Sequence, residues 1–184
     1  MEGADPLHPP GLEAWWIVIG ALGTTRNVLL AVGDAALWAA WSAGCGYVAH
    51  RIPDPALRRD RLLALRRFER DGRAYERVLR IKAWKDTLPE AGSLFGGGFS
   101  KRHVVRHDRA YLEQFLAETR RAERAHWAIA ALGPVFFAWN PWWLASAMVG
   151  YAIVANVPCI LVQRYNRARL VRLLDRRPVT DRVG

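Results

Sequence analysis

Residues 127–163 read WAIAALGPVFFAWNPWWLASAMVGYAIVANVPCILVQ, a run with no Asp, Glu, Lys or Arg. As one straight helix this run would extend roughly 55 Å at 1.5 Å per residue, far more than a hydrocarbon core of ~30 Å. Asn140-Pro141 supplies the break, because the residue before proline avoids the helical region and Asn-Pro favours a turn. The stretch therefore reads as a transmembrane helical hairpin, about 123–139 and 142–163, with Trp139, Trp142 and Trp143 at its tip, where indole rings favour the membrane–water interface. Pro134 and Pro158 are expected to kink the two arms, which membrane helices tolerate when neighbours satisfy the freed carbonyls.

A second apolar block lies upstream. Residues 28–49 (VLLAVGDAALWAAWSAGCGYVA) are long enough for one span, with Asp34 as the only charge. The small residues Gly33, Ala36, Ala40, Ala43, Gly44 and Gly46 suit close helix packing. Residues 15–23 (WWIVIGALG) are too short to span and read as an interfacial segment that ends at Thr24–Asn27, so 1–27 forms a tail outside the cytoplasm. Between the blocks, 51–122 reads as a charged cytoplasmic segment lying on the membrane surface. Leu57, Leu62, Leu63, Leu65, Phe68, Tyr75, Val78, Leu79 and Ile81 recur at spacings of three and four, which predicts amphipathic helices over 56–82. A loop follows over 87–103, with three glycines at 96–98. A helix from about 109 to 125 comes next, with Asp108 as its cap. Residues 164–184 form a basic cytoplasmic tail, whose 163–174 stretch predicts a basic amphipathic helix in the headgroup layer.

The fold class is thus an all-α membrane protein, with about three transmembrane helices and amphipathic surface helices. Charge sets its orientation. Segment 51–126 carries 19 Lys and Arg against 11 Asp and Glu, residues 164–184 carry seven Arg against two acids, and 1–27 carry one Arg against three acids. Cytoplasmic loops hold the excess of cations, which places the N-terminus outside and both basic segments inside. The net charge of +10 does not point to nucleic acid, since no motif for it is present; anionic lipid headgroups account for it better. Cys45 and Cys159 lack metal-ligand spacing, and no metal is expected. No cationic region precedes the first apolar stretch, so no cleavable signal is read there.

Several polar residues fall at the cytoplasmic membrane boundary: Glu118, Arg120, Arg121, Glu123, His126, Asn156, Gln163, Arg164, Tyr165 and Asn166. Ionisable groups there cost several kcal/mol unless paired, which makes them candidates for function. Glu123 and His126 stand i, i+3 on one helix face, and a carboxylate that holds an imidazole makes it a better base for a hydroxyl. Equally, Glu123 with Arg120 and Arg124 makes a plain ion-pair ladder. His103 and Asp108 in HVVRHD match the short signature of glycerolipid acyltransferases, a weak two-residue signal. Lys82, Trp84 and Lys85 could clamp a phosphate, or anchor the chain at the membrane surface by a snorkelling lysine and an interfacial indole. Asp34 reads either as a helix–helix contact or as a proton relay.

Beyond single residues, RIPD (51–54), WK (84–85), RH (102–103), ETRRAE-x-x-HW (118–127), ANVP (155–158) and VQRYNR-x-RL (162–170) together resemble the glycosyl-4,4'-diaponeurosporenoate acyltransferase family over about 48–175. The last two motifs are long and specific. The resemblance implies transfer of a fatty acyl chain from an acyl thioester co-substrate, with no other cofactor, to a sugar hydroxyl of an apolar glycosylated acceptor such as a carotenoid glycoside. His103, Glu118, Arg121, Glu123, His126, Asn156, Gln163, Arg164, Tyr165, Asn166 and Arg167 sit at motif positions. The resulting expectation makes His126 or His103 the general base, oriented by Glu123 or Glu118. Trp84, Lys85, Arg121, Asn156, Gln163, Arg164, Tyr165, Asn166 and Arg167 would bind substrate, with Arg164 and Asn166 facing the oxyanion or the donor's phosphates. The partners expected are membrane lipids, the acceptor and the acyl donor, with a homo-oligomer or a biosynthetic complex left open. The alternative from another class is a non-catalytic membrane subunit that binds a lipid or pigment. In that case the polar boundary residues should pair off among themselves.

Overall fold

The computed structural model describes residues 12–58, 63–88 and 109–176, with only the backbone for 12–22. Among the described residues the chain is helical throughout, without a strand. It divides into two compact units, Met1–Ala39 and Ala40–Gly184. Two helices are long and apolar enough to cross a membrane, and the protein is an all-α membrane protein.

Helix α1 covers Leu12–Arg51 without interruption, so the expected stop at Thr24–Asn27 is absent. Thr, Arg and Asn cost only a few tenths of a kcal/mol in a helix interior, and no proline occurs between Gly11 and Ile52. The helix ends where Pro53 pushes Ile52 out of helical conformation. Its candidate span is Gly23–Arg51. The exposure pattern is that of a lipid-facing helix: Val28, Leu29, Val32, Leu37 and Val48 are exposed, while Asp34 is buried.

The middle segment does not form the amphipathic helices expected over 56–82. It folds instead into α2 (Asp54–Arg58), α3 (Arg73–Arg77) and three single 3-10 turns at Arg67–Glu69, Ile81–Ala83 and Lys85–Thr87. Two left-handed residues chop it up, Gly72 at φ 69° and Arg80 at φ 47°. Glycine suits position 72 because its φ of 69° is strained for a residue with a Cβ, which would also press on the Arg172 guanidinium at 3.3 Å. Of the apolar positions read as membrane-facing, four are buried in protein, while Phe68, Val78 and Leu79 are exposed. Leu57, Leu63, Tyr75 and Ile81 are all buried, and the last two pack with Tyr165.

The hairpin turns at Asn140-Pro141, as its sequence requires, and α5 (Trp142–Asp175) starts directly after it. Its first arm differs from a plain span. Helix α4 (Arg109–Ala130) stops four residues short of Pro134, whose ring would clash with the Ala130 carbonyl. The chain then continues as a 3-10 helix, Gly133–Ala138. This arm lies tightly on α5, and a Cβ on Gly133 would sit 3.0 Å from the Ala152 Cβ. Helix α5 continues without interruption past Pro158 and through the stretch expected to be a separate surface helix. At 1.5 Å per residue it is about 51 Å long, so its last turns must leave any ~30 Å hydrocarbon core. Those turns are the centre of the polar region, where Tyr165, Asn166, Arg167, Ala168 and Leu170 are buried. Leu170 packs against Leu112 and Phe115 of α4. The basic tail is thus half core, because its cations meet carboxylates on α4 and on the middle segment.

Candidate active site

The polar side chains of the α4–α5 interface form two adjoining levels. The lower level is an ionic core. Glu123 is fully buried and accepts from Arg164 Nη1 at 2.7 Å, from Arg167 Nη2, and from Trp127 Nε1 at 3.4 Å. Arg164 turns its other nitrogens to Glu69, Nε to Oε1 at 2.8 Å and Nη2 to Oε2 at 2.6 Å. Glu69 also accepts from the Tyr75 hydroxyl and from the Arg66 amide at 2.6 Å. Arg167, 1% exposed, donates to the Leu63 carbonyl as well. Charges this deep survive only when fully paired. Burial works against the Glu69 carboxylate, but the Arg164 guanidinium, the Tyr75 hydroxyl and the Arg66 amide outweigh it and hold the carboxyl down at about 2. Burial first, and the Glu69 carboxylate after it, push the Tyr75 phenol up to about 12.

One turn further along α4 stands His126, half-buried. Its Nδ1 lies 3.0 Å from Asn156 Oδ1. The Asn156 amide is fixed by Nδ2 donating to the Ala152 carbonyl at 3.0 Å, so its oxygen faces the imidazole and accepts from Nδ1–H. That assignment leaves the lone pair on Nε2, the form a general base needs. Glu123, three residues earlier, is taken by the two guanidinium groups, and the imidazole is oriented by an amide from the facing helix. Gln163 lies two turns beyond Asn156 on the same face of α5. It is 9% exposed, and among the described residues its buried Oε1 has no hydrogen-bond partner.

Glu118 and Arg121 belong to a separate clasp. Arg121 donates through Nη1 to the carbonyls of Ala49, His50 and Ile52 at 3.0, 2.9 and 2.7 Å, and through Nη2 to Asp54 at 2.6 Å. Its Nε reaches Glu118 at 3.0 Å. One guanidinium therefore caps the open carbonyls of α1 and ties the RIPD turn to α4. Trp41 adds a second tie, donating to the Ala128 carbonyl at 3.0 Å. On the far side of α5, Tyr165 donates to Glu76 at 2.9 Å, Lys82 pairs with Glu76 at 2.9 Å and Lys85 with Asp86 at 2.5 Å. Trp84 donates to the Leu79 carbonyl at 2.9 Å, and its ring packs on the Tyr75–Ile81–Tyr165 cluster. Asn166 is buried in the same stretch of α5. His103, Asp108 and the glycines at 96–98 lie outside the described residues. Among the described residues no group of three His, Cys, Asp or Glu side chains could hold a metal ion.

The structure thus brings Glu123, His126, Asn156, Gln163, Arg164 and Arg167 along one helix interface. It sets Glu118 and Arg121 at the α1 terminus, and Trp84, Lys85 and Tyr165 behind α5. Glu69 and Tyr75 were not singled out from the sequence. Only their burial beside Arg164 distinguishes them from the other charges of an arginine-rich segment.

An all-α membrane protein with an imidazole held between two of its helices, it is an acyltransferase by its family and relatives. A family model for glycosyl-4,4'-diaponeurosporenoate acyltransferase matches residues 59–176, and the chain belongs to that family. Proteins named glycosyl-4,4'-diaponeurosporenoate acyltransferase from Staphylococcus aureus strains bovine RF122 / ET3-1, USA300 and MRSA252 are each 34% identical to it over 125 residues, which is 67% of this chain and 75% of theirs. No solved structure gives a significant match.

Proposed function

We propose that the protein moves a fatty acyl chain from an acyl thioester to a sugar hydroxyl of an apolar glycosylated lipid, at the cytoplasmic boundary of the membrane. The relatives' name supplies the acceptor class. The His126–Asn156 pair carries the reading. With the tip tryptophans at one interface, Asn156 lies about 21 Å along α5 from Trp142, roughly two thirds of the way across a ~30 Å core. Trp142 is 75% exposed, as an interfacial indole would be. There an apolar acceptor can lie between helices with its sugar reaching His126. Nε2 takes the hydroxyl proton, the sugar oxygen attacks the thioester carbonyl, the C–S bond breaks, and the imidazolium returns the proton to the departing thiolate. The chain crosses the membrane more than once, with the N-terminus outside and 51–122 and the C-terminus inside, as the cation distribution requires.

Glu118, Arg121, Glu123, Arg164 and Arg167 do pair among themselves, as a non-catalytic subunit would have them, and their role in this reading is to hold α1, α4 and α5 in register. His126→Ala and Asn156→Ala, expressed in cells that make the glycoside, test the proposal by mass spectrometry of pigments and lipids. The acyl-sized mass increment should fall about 10²–10⁴-fold in the first variant and by a smaller factor in the second. An undiminished ester in His126→Ala would remove the base from the mechanism.

A further inference from the structure

Behind α5, away from the His126 level, is an open cavity of about 470 Å³ lined by Glu76, Lys82, Lys85, Asp86, Tyr165, Arg169, Arg172, Leu173 and Arg176. That volume falls within the roughly 300–1,000 Å³ of small-ligand sites. Five cations face two carboxylates across it. Arg169 and Arg172 come from successive turns of α5 and Arg176 from its C-cap, spaced three and four apart. Lys82 and Lys85 come from the opposite wall, in the two 3-10 turns at Ile81–Ala83 and Lys85–Thr87. The two carboxylates brace the lysines, Glu76 on Lys82 and Asp86 on Lys85. The arginines differ: among the described residues none of the three makes an ion pair, and Arg169 lies over the Tyr165 ring at 5.7 Å.

A helix C-terminus attracts cations by its dipole, and one arginine in the last turn would serve that purpose. It does not account for three arginines meeting two lysines from another segment around a concave space. Like charges converge in this way at a cost unless an anion joins them. Guanidinium forks suit phosphate oxygens, which they bind in pairs of parallel hydrogen bonds.

We propose that this cleft is a binding site for a phosphate-bearing group with at least two negative charges. Arg169 and Arg172 grip the oxygens, Arg176 closes the solvent side, and Lys82 and Lys85 supply the facing charges. The phosphate comes either from a soluble molecule, such as the nucleotide end of an acyl thioester, or from an anionic lipid headgroup at the membrane surface. The proposal stands on the cleft alone and does not depend on acyl transfer at His126.

The full chain, purified in an uncharged detergent, is titrated with inorganic pyrophosphate and with adenosine 3',5'-bisphosphate by calorimetry. In parallel it is placed in nanodiscs of neutral lipid with or without phosphatidylglycerol, and its thermal midpoint is read. Arg169→Gln/Arg172→Gln is compared with Arg176→Gln, whose exposed side chain can change without affecting folding. Binding of a soluble probe that weakens about tenfold or more in the double variant, severalfold in Arg176→Gln, and also with added salt, supports the site and a soluble source. A midpoint raised by phosphatidylglycerol in the parent and not in the variants supports the site and a lipid source. No response to any of the three, or an equal response in parent and variants, overturns the proposal.

Discussion

Removing the Glu123 carboxylate should destabilise the protein more than any other single change at the α4–α5 interface. Glu123 and Arg167 are 0% and 1% exposed, so neither can be rescued by water. In Glu123→Gln the side chain keeps its shape, but Arg167 loses the negative charge that faces it. Breaking a buried pair from one side costs about 3–5 kcal/mol. In a chain of this length each kcal/mol moves the thermal midpoint by about 2–4 °C, which gives a drop of roughly 6–20 °C. Arg164 is buffered against the change, because Glu69 still accepts from it through both oxygens. The double variant Glu123→Leu/Arg167→Leu removes both charges together and should recover most of the loss, since apolar replacement of a buried pair is often neutral. Tryptophan fluorescence during thermal unfolding in detergent reads these midpoints. A Glu123→Gln variant within about 1 kcal/mol of the parent, or a double variant less stable than the single one, would refute the view that the interface is held by a mutually compensated ion cluster.

Other perturbations read different parts of the same frame. The Glu69 carboxyl is held near 2, below the ordinary 4.5, so its contribution to stability is whole above pH 4.5 and is lost as pH falls toward 2; Glu69→Gln should flatten that acid limb in an acid-unfolding series. Arg121→Lys keeps the charge and loses the fork that spans three carbonyls and two carboxylates, which should cost about 1.5–3 kcal/mol in thermal unfolding. Gly133→Ala places a Cβ 3.0 Å from the Ala152 Cβ and should cost about 1–3 kcal/mol, and Gly133→Leu should abolish accumulation of folded protein on gel filtration.

The apolar blocks, the Asn140-Pro141 turn and the α4 helix could be read from the sequence because each is written locally, in run length, proline placement or period. The start of α5 at Trp142 follows directly from Pro141. What was not local was misread. The spacing of Leu57, Leu63, Tyr75 and Ile81 fits a surface helix and fits equally a chain wrapped around a core, and only the left-handed turns at Gly72 and Arg80 decide between them. The basic stretch after Gln163 has the composition of a headgroup tail, yet Arg167 is buried and Arg164 half-buried because Glu123 and Glu69, 44 and 95 residues away in sequence, reach them. Glu123 and His126 share a helix face as their spacing requires. Their partners Arg164, Arg167 and Asn156 come from α5, and no spacing within α4 could reveal that. The family resemblance did reveal that ANVP and VQRYNR matter, and the structure shows what their Asn156 and Arg164 touch.

Because α5 is unbroken, Asn156 and Arg172 keep a fixed separation of about 24 Å along its axis at 1.5 Å per residue. A donor gripped by its phosphates behind the helix could deliver its carbonyl to the imidazole only on a tether of at least that reach. The rod would then act as a length gauge, rejecting short activated acids however reactive and admitting those whose charged handle and scissile bond are far enough apart.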